Sequence, residues 1–175
     1  MMVTAALKAL YAGDLDRAGE LLGSDETLTA PEAAAFGRSA RLRELLPEGA
    51  NAWTEDGFSA LHLAIYGRQE EATKLLVDSG ADVEALSRHE TIIVRPLHTA
   101  AFVRSVPLAT ILLGAGADPN GRAENGFTAL HSAAQNDDVE LARLLLARGA
   151  DPALATDGGK TPADMATGDM AALLG

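Results

Sequence analysis

The chain has 175 residues, enough for one domain with a real core, and its 47% hydrophobic and 22% charged residues strike an ordinary globular balance. Without a cysteine it can form no disulfide, no thiolate nucleophile and no cysteine-ligated zinc site. Its 25 acidic against 14 basic residues leave a net charge of −11, which repels a phosphate backbone and argues against nucleic acid as a partner.

The same charge would attract and steer a basic protein or peptide. No apolar run approaches the roughly 18–20 residues of a membrane span. The opening MMVTAALKAL lacks the basic-then-apolar pattern of a secretory signal. A cytoplasmic protein that engages no membrane is the expectation. The 11 Arg against 3 Lys, amid abundant Ala and Gly, suggest a GC-rich, bacterial coding sequence.

In chain order, residues 1–24 hold Ala9-Leu10-Tyr11-Ala12-Gly13-Asp14 and then Leu21-Leu22, two short apolar runs joined by a glycine corner. Residues 25–52 repeat the plan after an irregular link, Gly23–Ala30. Ala33-Ala34-Ala35-Phe36-Gly37 is followed there by Leu45-Leu46 and a close at Gly49-Ala50-Asn51. From residue 53 the plan sharpens over 53–85, 86–121 and 122–154. Each of these carries Leu61-His62, Leu97-His98 or Leu130-His131, and fourteen residues after the leucine a second run opens at Leu75, Ile111 or Leu144. Each ends at Gly80-Ala81-Asp82, Gly116-Ala117-Asp118 or Gly149-Ala150-Asp151. The histidines lie 36 and 33 residues apart, and Asp164, within 155–175, stands 33 beyond His131.

Within one unit, Leu130, Ala133 and Ala134 share one side of a first helix, and Leu141, Leu144 and Leu145 one side of a second. A buried leucine contributes roughly 1.5–3 kcal/mol. One such pair buries too little to stand alone, so stacking on neighbours must supply the burial.

SALHLA, RPLHTA, TALHSA and TPADMA, from residues 59, 95, 128 and 161, are four copies of one signature. With the period of 33 and the Gly-Ala-Asp close, the chain resembles the ankyrin-repeat family from about residue 54 to 168. The resemblance implies an all-α fold, an ankyrin-repeat solenoid of stacked helix-turn-helix units with short β-hairpin fingers. It would hold about six repeats in a single domain, 1–175, with 1–24 and 155–175 as capping repeats and a shortened second helix in the last. Pro31 takes the place of the histidine in the degenerate copy and should start its helix, not interrupt it. The corner between helices wants a positive φ, which Gly13 and Gly37 supply; Arg68, Arg104 and Asp137 depart from this and predict local strain. The interval of 36 puts three extra residues into Leu86–Val94. Because Thr91-Ile92-Ile93-Val94 is β-branched and apolar, a longer finger with a strand is predicted over 85–95.

His62, His98 and His131 occupy the family's Leu-His position, where the resemblance implies a structural imidazole bonded to neighbouring turns. Packed repeats stand about 10 Å apart, too far to share a metal whose ligands sit at about 2 Å. Ser59, Thr128 and Thr161 read as helix caps, with Arg95 replacing them once. Asp82, Asp118 and Asp151 read as turn-ordering residues. Gly158-Gly159-Lys160-Thr161 lacks the upstream glycine of a phosphate loop, because that position is Leu154. With no acid–base pair beside a nucleophile, no enzyme is expected, and neither a cofactor nor a metal.

The seven aromatics avoid the repeated Leu and Ala positions. Tyr66 and Phe102 share a register near the end of the first helix, with Tyr11 aligned and Phe36 one residue on. Phe58 and Phe127 directly precede the Ser or Thr, and Trp53 lies in a finger. In the family these registers and the fingers form a variable, concave recognition surface. Val103, Gln135 and Asn136 fall on it, as do His89, Ile92, Glu124 and Asn125 of the fingers. Glu55, Asp56, Glu90, Glu124 and Asp157 would rim it. For Phe58 and Phe127, packing against their own hairpins is the equal alternative.

The reading is a non-catalytic protein–protein interaction scaffold that holds a protein or peptide partner on this face. It would act as a monomer, with self-association left open. The alternative is a regulatory or inhibitory subunit of a neighbouring enzyme, acting through acidic surface complementarity.

Overall fold

The computed structural model describes residues 4–175, and each pair of apolar runs becomes two short helices joined by a tight corner. Met1–Val3, part of the predicted first capping repeat, lie outside the described residues. The described residues contain twelve α-helices, two single 3-10 turns and no β-ladder.

The chain divides into two compact units. One ends at Asp82 and takes in Ser87–Thr91; the other comprises Val83–Leu86 and Ile92–Gly175.

The first unit holds α1 (Ala5–Tyr11), α2 (Leu15–Leu21), α3 (Ala30–Ala35), α4 (Ser39–Gly49), α5 (Ala60–Tyr66) and α6 (Glu70–Asp78). Here α1 packs on α2, α3 on α4 and α5 on α6, while α3 lies against α5 and α4 against α6. The link expected over Gly23–Ala30 is irregular apart from one 3-10 turn at Asp25–Thr27, and it ends one residue early because Ala30 already opens α3. Pro31 lies in the first turn of α3 and does not interrupt it, yet it does not take the histidine's place. Counting from the N-cap, that place belongs to Glu32, whose carboxylate accepts the Thr29 amide at 2.9 Å. A carboxylate oxygen three residues after the cap closes the same ring that an imidazole nitrogen closes elsewhere.

The second unit holds α7 (Pro96–Phe102), α8 (Val106–Gly114), α9 (Ala129–Gln135), α10 (Val139–Ala147), α11 (Pro162–Met165) and α12 (Gly168–Leu174). The pairs α7/α8, α9/α10 and α11/α12 form, with α9 between α7 and α11 and with α10 against α8 and α12. The last pair is short in both helices: four residues in α11, and seven in α12 against nine in α8 and α10.

Five corners use one device. The amides of Asp14, Arg38, Gln69, Ser105 and Asp138 donate to the carbonyls of Ala9, Ala33, Ala64, Ala100 and Ala133 at 2.8–3.0 Å. That bond closes the helix end only if the preceding residue turns left-handed. Gly13 and Gly37 do so with φ of 76° and 64°, and Arg68, Arg104 and Asp137 are held there too, at 58°, 52° and 51°. The expected strain is therefore present, and the corner bond imposes it.

The core runs through small first helices and leucine-bearing second ones. Leu76, Leu112 and Leu145 are 0% exposed, whereas Leu75, Ile111 and Leu144 are half-buried. Of the second-helix residues read from the periodicity, Leu141 and Leu145 are therefore the buried ones, and Leu144 lies at the edge of the stripe.

The fingers are tight turns. Thr54, Ala123 and Thr156 donate their amides to Phe58, Phe127 and Lys160 carbonyls at 2.7–2.9 Å. Single bonds then join successive tips: Arg88 to Gly57 at 2.7 Å, Glu124 to Ile93 at 2.9 Å and Asp157 to Asn125 at 2.9 Å. One bond per tip is too sparse for a ladder, and Trp53–Ser59 forms only an isolated bridge. The strand predicted at Thr91–Val94 does not form. The β-branched side chains found no continuous partner edge to pair with.

Candidate functional site

The repeated Ser/Thr and histidine positions build scaffold, not a reaction centre. The His62 imidazole Nδ1 lies 2.8 Å from the Ser59 hydroxyl. In His131, Nε2 donates to the Lys160 carbonyl at 3.0 Å, and Nδ1 accepts the Thr128 amide at 3.1 Å with the Thr128 hydroxyl 2.8 Å away. His98 Nε2 likewise donates to the Phe127 carbonyl at 3.0 Å. Its Nδ1 is buried without a partner, because Arg95 stands where the hydroxyl should be. Burial pushes His98 down to about 4, with the Arg95 and His131 charges adding to it and the bond to Phe127 opposing. Burial also lowers His131.

Arg95 is engaged otherwise: its guanidinium reaches the Glu84 carbonyl at 2.7 Å, the Glu84 carboxylate at 3.1 Å and the Arg122 carbonyl at 3.2 Å. Asp118 and Asp151 order turns as expected, accepting the Asn120 and Ala153 amides at 2.9 and 2.8 Å. Sequence reasoning missed the staples beside them. Asn51 accepts the Asp82 amide at 2.8 Å and donates to Gly80, and Asn120 does the same for Asp151 and Gly149. Glu84 fills the equivalent position in the middle copy and accepts the Asp118 amide at 2.9 Å. The recurrence of Asn51, Glu84 and Asn120 at the repeat spacing was the available signal. Among the described residues no three His, Asp or Glu side chains converge as metal ligands.

The predicted surface residues fall into two groups. In the first unit, Tyr11, Phe58 and Tyr66 form an aromatic cluster, with ring centroids of Tyr11 6.0 Å from Phe58 and 5.8 Å from Tyr66. It packs against the core of Leu7, Leu10, Ala18, Ala35 and Leu63. The Tyr66 hydroxyl donates to the Tyr11 carbonyl at 3.3 Å. The Tyr11 hydroxyl is buried, and burial, together with the nearby Asp56 carboxylate, pushes its pKa well up. His89 stacks on Phe58 at 5.2 Å, and the Arg88 guanidinium lies 4.0 Å over the Trp53 ring. Trp53, Phe58 and His89 thus hold Ser87–Thr91 onto this unit. Phe58 is half-buried between Tyr11, His62 and His89, which lie outside its own hairpin.

In the second unit Phe102 ends α7 with 68% of its surface exposed, while the rest of that helix is buried. Ile92 is 46% exposed. Val103 differs from expectation: it is 7% exposed, so its side chain packs inward at the α7 end and offers nothing to a partner. Asn125, Phe127 and Gln135 come together around a hollow of about 480 Å³, completed by the turn Thr156–Lys160 and by Met165. Phe127 leans on His131 at 5.4 Å but keeps one side on the hollow. Glu124 and Asn136 are exposed on the finger and at the α9 end.

Electrostatically the hollow differs from the molecule around it. Asp157 on its wall is paired with Arg122 at 3.2 Å. Lys160 makes no ion pair among the described residues, and its charge helps hold Asp164 below the usual carboxylate range after the two Thr161 hydrogen bonds. The Asn125 and Gln135 side-chain amides make no hydrogen bond among the described residues.

An all-α array of capped helical pairs with tight fingers defines a repeat scaffold. Two models of ankyrin repeats match the chain, one over residues 4–87 and another over 112–166. The chain belongs to the ankyrin-repeat family, whose members bind other proteins and are generally non-catalytic. It is similar to human NF-kappa-B inhibitor alpha, 36% identical over 90 residues, covering 49% of this chain and 28% of that protein. It is similar also to Ankyrin repeat and SOCS box protein 6 of Mus musculus, 40% identical over 91 residues, covering 49% of this chain and 21% of the relative. The "Probable 26S proteasome regulatory subunit p28" of Saccharomyces cerevisiae is 35% identical over 89 residues, covering 50% of this chain and 37% of the relative. The matched stretches thus span well under half of each relative's length. Among the described residues no helix is long and apolar enough to cross a membrane.

Proposed function

We propose that this protein is a non-catalytic scaffold that holds a protein or peptide partner on the face carrying the first-helix ends and the fingers. The observation that carries the reading is Phe102, a large aromatic ring left 68% exposed at the end of a helix whose other residues are buried. A ring kept in water costs the free chain apolar hydration, and a partner that covers it recovers roughly 25 cal/mol per Å². Ile92, Glu124, Asn125, Phe127, Gln135 and Asn136 extend the contact in the same unit. The net charge of −11 favours a partner basic overall.

The test is capture of partners from the source cell by wild type and by Phe102→Ala. The variant should keep its helical signal and melting temperature within a few degrees while losing the partner. If Phe102→Ala unfolds the protein instead, that ring belongs to the core and the reading fails.

A regulatory or inhibitory role is the second reading. It is favoured by two relatives whose names are those of an inhibitor and a regulatory subunit. Acidic complementarity to a basic enzyme surface would make affinity fall steeply as salt rises. An affinity indifferent to salt would exclude it and leave the apolar scaffold.

A further inference from the structure

The register directly before the Ser or Thr cap changes chemistry along the chain. It is Phe58 and Phe127 in two fingers and Lys160 in the last. Each closes the same turn, accepting the amide of Thr54, Ala123 or Thr156. Phe127 and Lys160 therefore stand at equivalent places in successive turns, and both line the hollow of the second unit. Lys160 is held firmly at its base: its amide donates to the Thr156 hydroxyl at 3.2 Å, and its carbonyl takes the Thr156 amide at 2.8 Å and the His131 imidazole at 3.0 Å.

The hollow offers four things at once. Phe127 and Met165 give an apolar wall, Asn125 and Gln135 give two amide groups able to donate and accept, and Lys160 gives a positive charge. Asp157, the acidic residue on the wall, is already neutralised by Arg122 at 3.2 Å. Within a protein of net charge −11, the hollow thus keeps one cation on its lining, Lys160, whose charge is felt by the Asp164 carboxylate nearby.

We infer that this hollow receives an extended peptide segment in which an apolar side chain is followed, two residues on, by an aspartate or glutamate. The inference rests on the reading of this face as partner-binding. In an extended chain alternate side chains point the same way, so one can enter against Phe127 and Met165 while the next reaches Lys160. Side-chain amides of Asn125 and Gln135 match the peptide backbone between them, which presents one donor and one acceptor per residue. An acidic side chain suits the site better than a chain terminus. A terminal carboxylate is best held by several backbone amides, and those of Thr156, Gly159 and Lys160 are already used in the turn, while that of Asp157 donates to the Asn125 carbonyl. The acidic surroundings then reject acids that do not carry the apolar neighbour, so the pair is read together.

The test uses the full chain, isotope-labelled for NMR, and short peptides blocked at both ends. One carries leucine followed two residues on by glutamate; the others carry glutamine or lysine in the glutamate's place. A last one carries glutamine and a free C-terminal carboxylate. The glutamate peptide should shift the Asn125 and Gln135 side-chain amide signals and bind roughly three- to fivefold more tightly than the glutamine peptide, the range of an exposed ion pair. That preference should vanish in Lys160→Gln, whose backbone bonds in the turn are unchanged, and should shrink as salt is raised. Equal or tighter binding of the glutamine, lysine or free-carboxylate peptide overturns the inference. So does a preference that survives Lys160→Gln, or signals of Asn125 and Gln135 that do not move. None of these results touches the scaffold role, which stands or falls with Phe102→Ala.

Discussion

Acidification should destabilise the protein through His98, by an amount set first by the burial of its imidazole. Its imidazole is buried, and Nε2–H is committed to the Phe127 carbonyl. Nδ1 has no donor to accept from, since Arg95 replaces the Ser or Thr that serves His62 and His131. Adding a proton there would put a charge into a dry site beside a guanidinium. The group is accordingly held near 4, against an ordinary value of about 6.5 in the unfolded chain. Because the folded value is the lower one, this contribution is fully present above about pH 6.5 and drains away as pH falls towards about 4. At about 1.4 kcal/mol per unit, the gap of about 2.5 units is worth about 3 kcal/mol. Urea unfolding followed by circular dichroism gives the measurement. Between about pH 7 and about pH 5, wild type should lose about 2 kcal/mol that His98→Gln does not lose. The glutamine amide can still donate to the Phe127 carbonyl but does not titrate. Arg95→Thr should raise the His98 pKa and narrow the window, because it removes the guanidinium and restores the hydroxyl. Equal pH slopes for wild type and His98→Gln would refute the reasoning.

Two further predictions concern packing. Leu145 is 0% exposed on α10, a helix that packs against α8, α9 and α12, so Leu145→Ala should cost about 2–5 kcal/mol in urea unfolding. Half-buried Leu144→Ala should cost less than half as much; a reversed order would put Leu144, not Leu145, at the centre of the stripe. Gly57 has φ 89°, and a methyl group there would run into the Arg88 and His89 backbone. Gly57→Ala should therefore lift Ser87–Thr91 off Trp53 and Phe58, at about 1–3 kcal/mol of strain if it stays in place. Trypsin should then cut after Arg88 several-fold faster than in wild type, and unchanged cleavage would show that the clasp does not depend on that glycine.

The legible part of this protein was the part that repeats. Leu-His pairs, Gly-Ala-Asp closes and corner positions recur because each unit solves the same local problem, capping two helices and turning a corner left-handed. Local solutions need only local residues, so Ser59 with His62, or Gly13 at its corner, could be read directly. Misreadings arose where position relative to a neighbour mattered. Val103 beside exposed Phe102 is buried, and Leu144 stays at the edge of a stripe that Leu141 and Leu145 fill, because a one-residue turn of a helix decides which side meets the adjoining pair.

The candidate surface divides along the same line. Counting registers singled out Asn125, Phe127 and Gln135, and the folded chain brings them around one hollow. Lys160 was passed over because, as a sequence, it belonged to a rejected phosphate motif. Its place before Thr161 makes it the next member of the same row, and the folded chain adds that it lines one hollow with Phe127. His89 and Phe58, by contrast, were candidates for a partner and are used to hold each other. By itself the sequence determined the family, the helical pairs, their caps and their strained corners, all within a few residues of chain. Which side chains are covered, which nitrogen lacks a partner and where a lone positive charge meets an apolar wall were decided by tertiary structure, because burial depends on distant neighbours that no local pattern encodes.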